Sequence, residues 1–287
     1  MRIDGKALAD AIFSTLAQEA LHPTLAVILV GDNPESLAYI RQKQKATERL
    51  GGHFIFEHLP AATSQKELDA RVAMYNSDPA VAGLIVQRPI AGGLTATVVP
   101  AKDIDGFETN SPFEVPIAMA IFTILKHIFM LSSPRRRGSA FIGEYQNRFP
   151  VKPGMTFVDW LRSQRVTIVG RGETAGKPIA AAFAKQQCAT SIISSQTPNP
   201  KEIMKTADIL ISCVGKQGIV TPDAVKPGAI LISVGLSRGE DGKLHGDYHE
   251  NAIADIAGAY TPTPGGVGPV NIACLMQNLV KASHYSP

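Results

Sequence analysis

Short runs of consecutive apolar, β-favouring residues recur along this chain with room for one helix between neighbours, and that rhythm constrains the fold more than any other feature. Residues 25–30 (Leu-Ala-Val-Ile-Leu-Val), 53–59 and 83–90 form a first set; 166–169, 189–193, 208–213 and 229–234 form a second. Uninterrupted apolar runs suit strands covered on both faces, and their alternation with helix-length segments suits parallel βαβ units. The expected fold is α/β with two lobes rather than one continuous sheet: an N-terminal α/β lobe and a C-terminal Rossmann-like lobe. A chain of 287 residues, 45% of them hydrophobic, is long enough to bury two cores.

Between the two sets, Ser132 to Gly154 carries Pro134, Gly138, Gly143, Pro150 and Pro153, a composition that breaks regular structure. This divides the chain into a first domain at 1–131, a linker or insertion at 132–154 and a second domain at 155–269. A closing helix from Val270 to His284 is expected to pack back on the first domain, so that 270–287 belongs with it. Ile117 to Leu131 is very apolar, but its fifteen residues include Lys126 and His127 and fall short of the roughly 20 that a membrane span needs. We read it as a buried helix.

Charge and cysteine usage exclude several classes. The formal net charge is only +3, and the one dense basic run, Arg135-Arg136-Arg137, has no interleaved aromatics, so nucleic acid is not an expected partner. Cys188, Cys213 and Cys274 stand far apart without a CxxC pair, which suits a reducing compartment and gives no metal site. The first residues lack the apolar core of a secretory signal, and the expected location is cytoplasmic.

The chemistry-bearing residues sit where the strands end. Asp32-Asn33-Pro34 is a helix start, with Asp or Asn as cap and Pro34 in the first turn. On that helix Tyr39 and Lys43 are four residues apart and share a face, near the end of a parallel strand where open α/β sheets bind ligands. A lysine in a cleft loses hydration, its pKa falls, and it becomes a proton shuttle near neutrality, while the tyrosine offers a stacking face. Taken alone, the pair fits a surface lysine lying beside a half-buried tyrosine better than it fits a site. Gln87 ends the third apolar run, placed either to bond Lys43 or a polar ring edge, or to satisfy loop backbone. Lys102-Asp103-Ile104-Asp105-Gly106 sets two carboxylates before a glycine turn.

In the second lobe, Val166 to Val169 leads into Gly170-Arg171-Gly172-Glu173-Thr174-Ala175-Gly176, a strand feeding a glycine turn and then a helix. Such a turn lets backbone amides and a helix N-terminus approach a pyrophosphate, although the third glycine comes four residues after the second rather than three. Arg171, with hydroxyls at Ser194-Ser195-Gln196-Thr197 where a ribose-binding acid often stands, favours NADP over NAD. Pro262 to Pro269 is so dense in glycine and proline that it must be a fixed loop, either an elaborate turn or one facing a ligand.

Taken in order, these motifs resemble the bifunctional methylenetetrahydrofolate dehydrogenase/cyclohydrolase family. Tyr39-Ile40-Arg41-Gln42-Lys43 is similar to its Tyr-x-x-x-Lys helix, Ile85-Val86-Gln87-Arg88-Pro89 to its substrate strand, Lys102 to Gly106 to its Lys-Asp-Val-Asp-Gly turn, and Pro264 to Pro269 to its Pro-Gly-Gly-Val-Gly-Pro loop. The resemblance implies oxidation of methylenetetrahydrofolate with NADP, hydrolysis of the methenyl product to formyltetrahydrofolate, a place in one-carbon metabolism and purine biosynthesis, and a homodimer. It also implies a folate cleft between the two lobes, with the cofactor on the second, and it implies the roles. Lys43 serves the cyclohydrolase step, Tyr39 stacks on the folate, Gln87 tunes the lysine and Asp105 binds the pterin. Val86, Arg88, Pro264, Gly265, Gly266, Val267 and Gly268 line the substrate. Gly170, Arg171, Gly172, Ser195, Thr197 and Leu236 bind the cofactor, with no metal. The chain departs from the family at Phe113-Glu114-Val115-Pro116, which replaces a Pro-Cys-Thr-Pro segment. Further departures are Gly172, Ser194 and Asn271, in place of the usual serine, histidine and threonine. Two alternatives keep the fold: a dehydrogenase of another small substrate, such as an amino or hydroxy acid, and a folate-binding protein or cyclohydrolase without redox activity.

Overall fold

The computed structural model describes residues 1–133, 149 and 151–285. Most of the expected linker, residues 134–148 and 150 including the three arginines, lies outside the described residues. The chain divides into two compact units, one of residues 9–119 with 271–287 and one of residues 1–8 with 120–270.

The first of these is built on a parallel sheet of β1 (Thr24–Val30), β2 (His53–Leu59) and β3 (Gly83–Val86), in the order β2-β1-β3. Most of α1 (Gly5–Leu16), all of α2 (Pro34–Arg49) and α3 (Gln65–Ser77), and most of the last helix, α9 (Val267–Ser283), belong here. The unbroken apolar run of β1 has a direct cause. Leu25, Val27 and Leu29 enter one core with Leu275, Met276 and Leu279 of α9, while Ala26, Ile28 and Val30 enter another with Leu68, Val72 and Tyr75 of α3. Both faces are covered over residues 25–30, which is why that run is apolar without a break. The third strand is shorter than the 83–90 expected. It ends at Val86; the Gln87 amide still donates to the Ile28 carbonyl at 2.8 Å, but Pro89 has no N–H with which to continue the ladder.

The other unit holds a five-stranded sheet of β4 (Val166–Val169), β5 (Thr190–Ile193), β6 (Ile209–Ser212), β7 (Ile230–Ser233) and β10 (Ala259–Tyr260), all parallel, in the order β10-β7-β6-β4-β5. The antiparallel pair β8 (Ser237–Arg238) and β9 (Leu244–His245) follows β7. From β4 the chain passes to β5 on one side, then returns to β6 on the other, so the sheet has its topological switch point beside β4. Helices α5 (Phe157–Arg162), α6 (Gly176–Lys185), α7 (Pro200–Met204) and α8 (Glu250–Ile253) and most of α4 (Pro116–Ser132) complete the unit. The apolar stretch read as a buried helix is α4, in which Ile121, Ile124, Leu125 and Ile128 are wholly buried and Lys126 is exposed. Among the described residues no helix is long and apolar enough to cross a membrane.

One buried amide on α9 ties down the segment that leads from Asp105 to α4. The Asn278 side chain donates from Nδ2 to the carbonyls of Ile104 and Glu114, at 2.8 and 2.9 Å. Replacing it by leucine removes this donor from both carbonyls. Asn278→Leu is expected to lose about 2–3 kcal/mol of stability, checked by urea denaturation; a loss under about 0.5 kcal/mol would mean that water satisfies both carbonyls.

Candidate functional site

The polar cluster at the end of β1 and β3 begins with a helix cap. Asn33 accepts from the Ser36 amide at 2.9 Å and Pro34 occupies the first helical position, which aims α2 so that Lys43 is turned inward. Lys43 is 2% exposed. It is therefore not a surface lysine beside a tyrosine. Its ammonium nitrogen donates to Gln87 Oε1 at 3.1 Å, lies 3.8 Å from Asp105 Oδ2, and sits 5.1 Å from the centre of the Tyr39 ring. Gln87 also donates from Nε2 to the Arg88 carbonyl at 3.0 Å, which holds its oxygen towards the lysine.

Burial decides the protonation chemistry. It pulls the Lys43 pKa below the ordinary lysine value, with the Asp105 charge opposing, so the free amine is reached at a lower pH than for a lysine in water. Burial also pushes the Tyr39 hydroxyl upward, reinforced by Asp105, so Tyr39 stays a neutral phenol. Its ring is half-buried, and its hydroxyl takes a hydrogen bond from Asn271 Nδ2 on α9.

The two carboxylates of the Lys102–Gly106 turn have separate tasks. Asp105 faces Lys43. Asp103 is buried and accepts from the Glu108 amide at 2.8 Å, and burial pushes its pKa up to about 6. Lys102 donates to the carbonyls of Tyr75 and Asp78 at 2.8 and 2.5 Å, a purely structural use of a charged residue. Arg88 lies over the Phe107 ring at 4.8 Å, and Val86, Arg88, Asp105 and Phe107 line one pocket.

Five positions expected to line the substrate belong to Pro264 to Gly268. Here the boundary differs from expectation: the helix begins at Val267, not Val270, because Pro269 falls in its first turn, where a missing N–H costs nothing. The fixed loop is thus Pro262 to Gly266. A side chain at Gly266 would meet the Pro262 carbonyl oxygen at 2.4 Å.

At the switch point of the larger sheet, Gly170 has φ +102° and an added Cβ would lie 2.9 Å from the Cys213 carbonyl oxygen. A Cβ at Gly176 would lie 2.2 Å from the Gly170 oxygen, so the turn and the start of α6 are in backbone contact. At Gly172 it would meet nothing within 4 Å: that glycine faces open space, beside an exposed Arg171. Thr197 Oγ1 accepts from the Ser194 amide at 2.9 Å, so this hydroxyl already closes its own turn, whereas Ser195 and Leu236 are exposed. Sequence reasoning missed Asp247. Wholly buried, it accepts from Ser212 Oγ, Val214 N and Lys216 N at 2.7, 3.0 and 2.8 Å and braces the turn after β6. Nothing in a single aspartate between Gly246 and Tyr248 announces that.

These features define a two-unit α/β protein, with a buried amine cluster in one unit and a nucleotide-type glycine turn in the other. Residues 3–105 match the family model described as tetrahydrofolate dehydrogenase/cyclohydrolase, catalytic domain, and residues 157–286 match its NAD(P)-binding domain. The chain belongs to the tetrahydrofolate dehydrogenase/cyclohydrolase family. It is 38% identical to the bifunctional protein FolD of Lacticaseibacillus casei, over 97% of this chain and 96% of that protein. Among solved structures it is similar to the bifunctional FolD methylenetetrahydrofolate dehydrogenase/cyclohydrolase of Campylobacter jejuni, with a TM-score of 0.84, 28% identity and 99% of both chains covered. The Trypanosoma brucei enzyme complexed with NADP cofactor and inhibitor gives a TM-score of 0.82 at 26% identity, covering 100% of this chain and 98% of that one.

Proposed function

We propose that this protein oxidises methylenetetrahydrofolate to the methenyl form with NADP and hydrolyses the methenyl form to formyltetrahydrofolate. The observation that carries this reading is Lys43: a buried amine held by Gln87 and faced by Asp105 and the Tyr39 ring, in a chain that matches both domains of the family. Residues 1–131 with 270–287 serve as the folate domain, 155–269 as the cofactor domain and 132–154 as the linker. A homodimer in the cytoplasm belongs to the same reading and is checked by size-exclusion chromatography and cell fractionation.

Hydrolysis asks for proton movement. As the oxygen of water bonds the methenyl carbon, Lys43 takes the proton that water loses; as the carbon–nitrogen bond opens, the carbinol proton leaves and the freed ring nitrogen gains one. Gln87 keeps the amine aimed, Tyr39 offers its half-buried face to the folate ring, and Asp105 accepts from the pterin's N–H groups. Val86 and Arg88 line the rest of the substrate within this unit.

NADP, when bound, supplies the hydride acceptor. The turn suits an anion: glycine backbone faces open space at Gly172, and Arg171 is exposed beside it. Gly170, Arg171 and Gly172 would hold phosphate, Ser195 and Thr197 the ribose end, and Leu236 the nicotinamide side.

The test is addition of methenyltetrahydrofolate to the purified protein without nucleotide, following loss of methenyl absorbance across pH. Hydrolysis is expected to rise with pH as Lys43 loses its proton. In Asp105→Asn, removal of the opposing charge lets the lysine pKa fall further, so the rising limb moves to lower pH. A limb that stays in place or moves upward would detach Lys43 from the pH dependence, and a rate no greater than the uncatalysed one would sink the hydrolase reading.

A further inference from the structure

Tyr39 presents a half-buried ring, yet its hydroxyl is buried and its nearest polar partner comes from the far end of the sequence. That partner is Asn271, the first residue of α9 within this unit, whose Nδ2 donates to the Tyr39 oxygen. The Asn271 carboxamide oxygen is buried and has no hydrogen-bond partner among the described residues. The side chain is therefore anchored by one polar contact, and that contact is to Tyr39. A purely structural position would relieve an orphaned buried oxygen by taking an apolar residue; this one keeps the amide at that cost.

The consequences reach the amine. The Lys43 nitrogen lies over the same ring, 5.1 Å from its centre, so a ring that rotates about its side-chain bonds changes both the stacking face and the electron-rich surface against the lysine. Neighbours on α9 give the anchor a rigid base: Ile272, Ala273, Leu275 and Met276 are buried in the core that β1 shares, and Thr47 of α2 donates to Met276 Sδ. Asn271 thus stands on a packed helix and reaches a ring on another.

We propose that Asn271 is a positioning residue for substrate binding: it holds the Tyr39 hydroxyl and so fixes the ring face on which the substrate's pterin ring stacks. The inference rests on the folate reading above. It differs from a general packing role because its effect must pass through one oxygen atom.

A double-mutant cycle reads that atom directly. KM and kcat for hydrolysis of methenyltetrahydrofolate are measured for the wild type, Asn271→Ala, Tyr39→Phe and the double variant, each first checked for a native-like melting transition. Asn271→Ser enters the same cycle if the alanine variant does not fold. We expect Asn271→Ala to raise KM about tenfold with kcat lowered less than threefold, the size of one lost hydrogen bond. In the Tyr39→Phe background, which lacks the hydroxyl, the same substitution is expected to change KM less than about twofold. Equal effects in both backgrounds, or an unchanged KM in Asn271→Ala, would overturn the proposal. Absence of hydrolysis in the wild type would instead overturn the folate reading itself, so the two failures are distinguishable.

Discussion

Lys43→Met is expected to lower hydrolysis of methenyltetrahydrofolate by about a hundred- to ten-thousand-fold, the range for a positioned acid–base group, while leaving the fold intact. The stability half of that expectation comes from burial. A lysine 2% exposed has lost its hydration, and its polar compensation is one glutamine oxygen at 3.1 Å and a carboxylate at 3.8 Å. Methionine has similar length and no charge to desolvate, so the variant should melt at or above the wild-type temperature. Oxidation of methylenetetrahydrofolate does not need the amine as a base, and we expect it to survive within about tenfold, so that the methenyl product accumulates. Wild-type-like hydrolysis in the variant would remove Lys43 from the mechanism; a collapsed melting temperature would mean that the buried amine is structural.

The second large effect lies in the other unit. Gly176→Val sets a branched side chain where even a Cβ would be 2.2 Å from the Gly170 carbonyl oxygen and 2.8 Å from its carbon. Both are backbone atoms of the turn after β4, so neither yields by a rotamer change, and α6 must shift away from the turn. Misplacing a binding element by about 1 Å costs on the order of a hundredfold in rate. We expect NADP-dependent oxidation to fall by at least that factor while hydrolysis of added methenyltetrahydrofolate stays within about threefold. Stopped assays of the two half-reactions on the same preparation decide it. Equal losses in both would mean that the substitution unfolds the protein rather than disabling one site.

Which features were legible beforehand depends on how far their partners lie along the chain. The strands could be read because burial on two faces leaves a continuous apolar signature, as in Leu25 to Val30. The helix carrying Tyr39 and Lys43 could be read because Asn33 and Pro34 are local signals. The third strand was read too long, since apolar Val86 and Ile90 continue the pattern across Gln87 and Pro89, which end the ladder. The start of α9 was read too late, because its first turn is spelled with glycine and proline.

The polar clamps were not legible. Asn278 reaches carbonyls 174 and 164 residues away, Asn271 reaches Tyr39 across 232 residues, and Asp247 braces amides about thirty residues upstream. A lone amide or carboxylate has no periodicity, and until the fold brings its partners near it reads as surface. Lys102 shows the converse. It stands in a motif shared with Asp105, yet its ammonium holds two carbonyls at the C-terminal end of α3.

Whether one chain performs both half-reactions is checked by incubating the purified protein with methylenetetrahydrofolate and either NADP or NAD, following reduced nicotinamide and methenyl absorbance separately. We expect reduction, faster with NADP, with methenyl product transient in the wild type and accumulating in Lys43→Met. No reduction with either nucleotide, or no hydrolysis of added methenyltetrahydrofolate, would contradict that expectation.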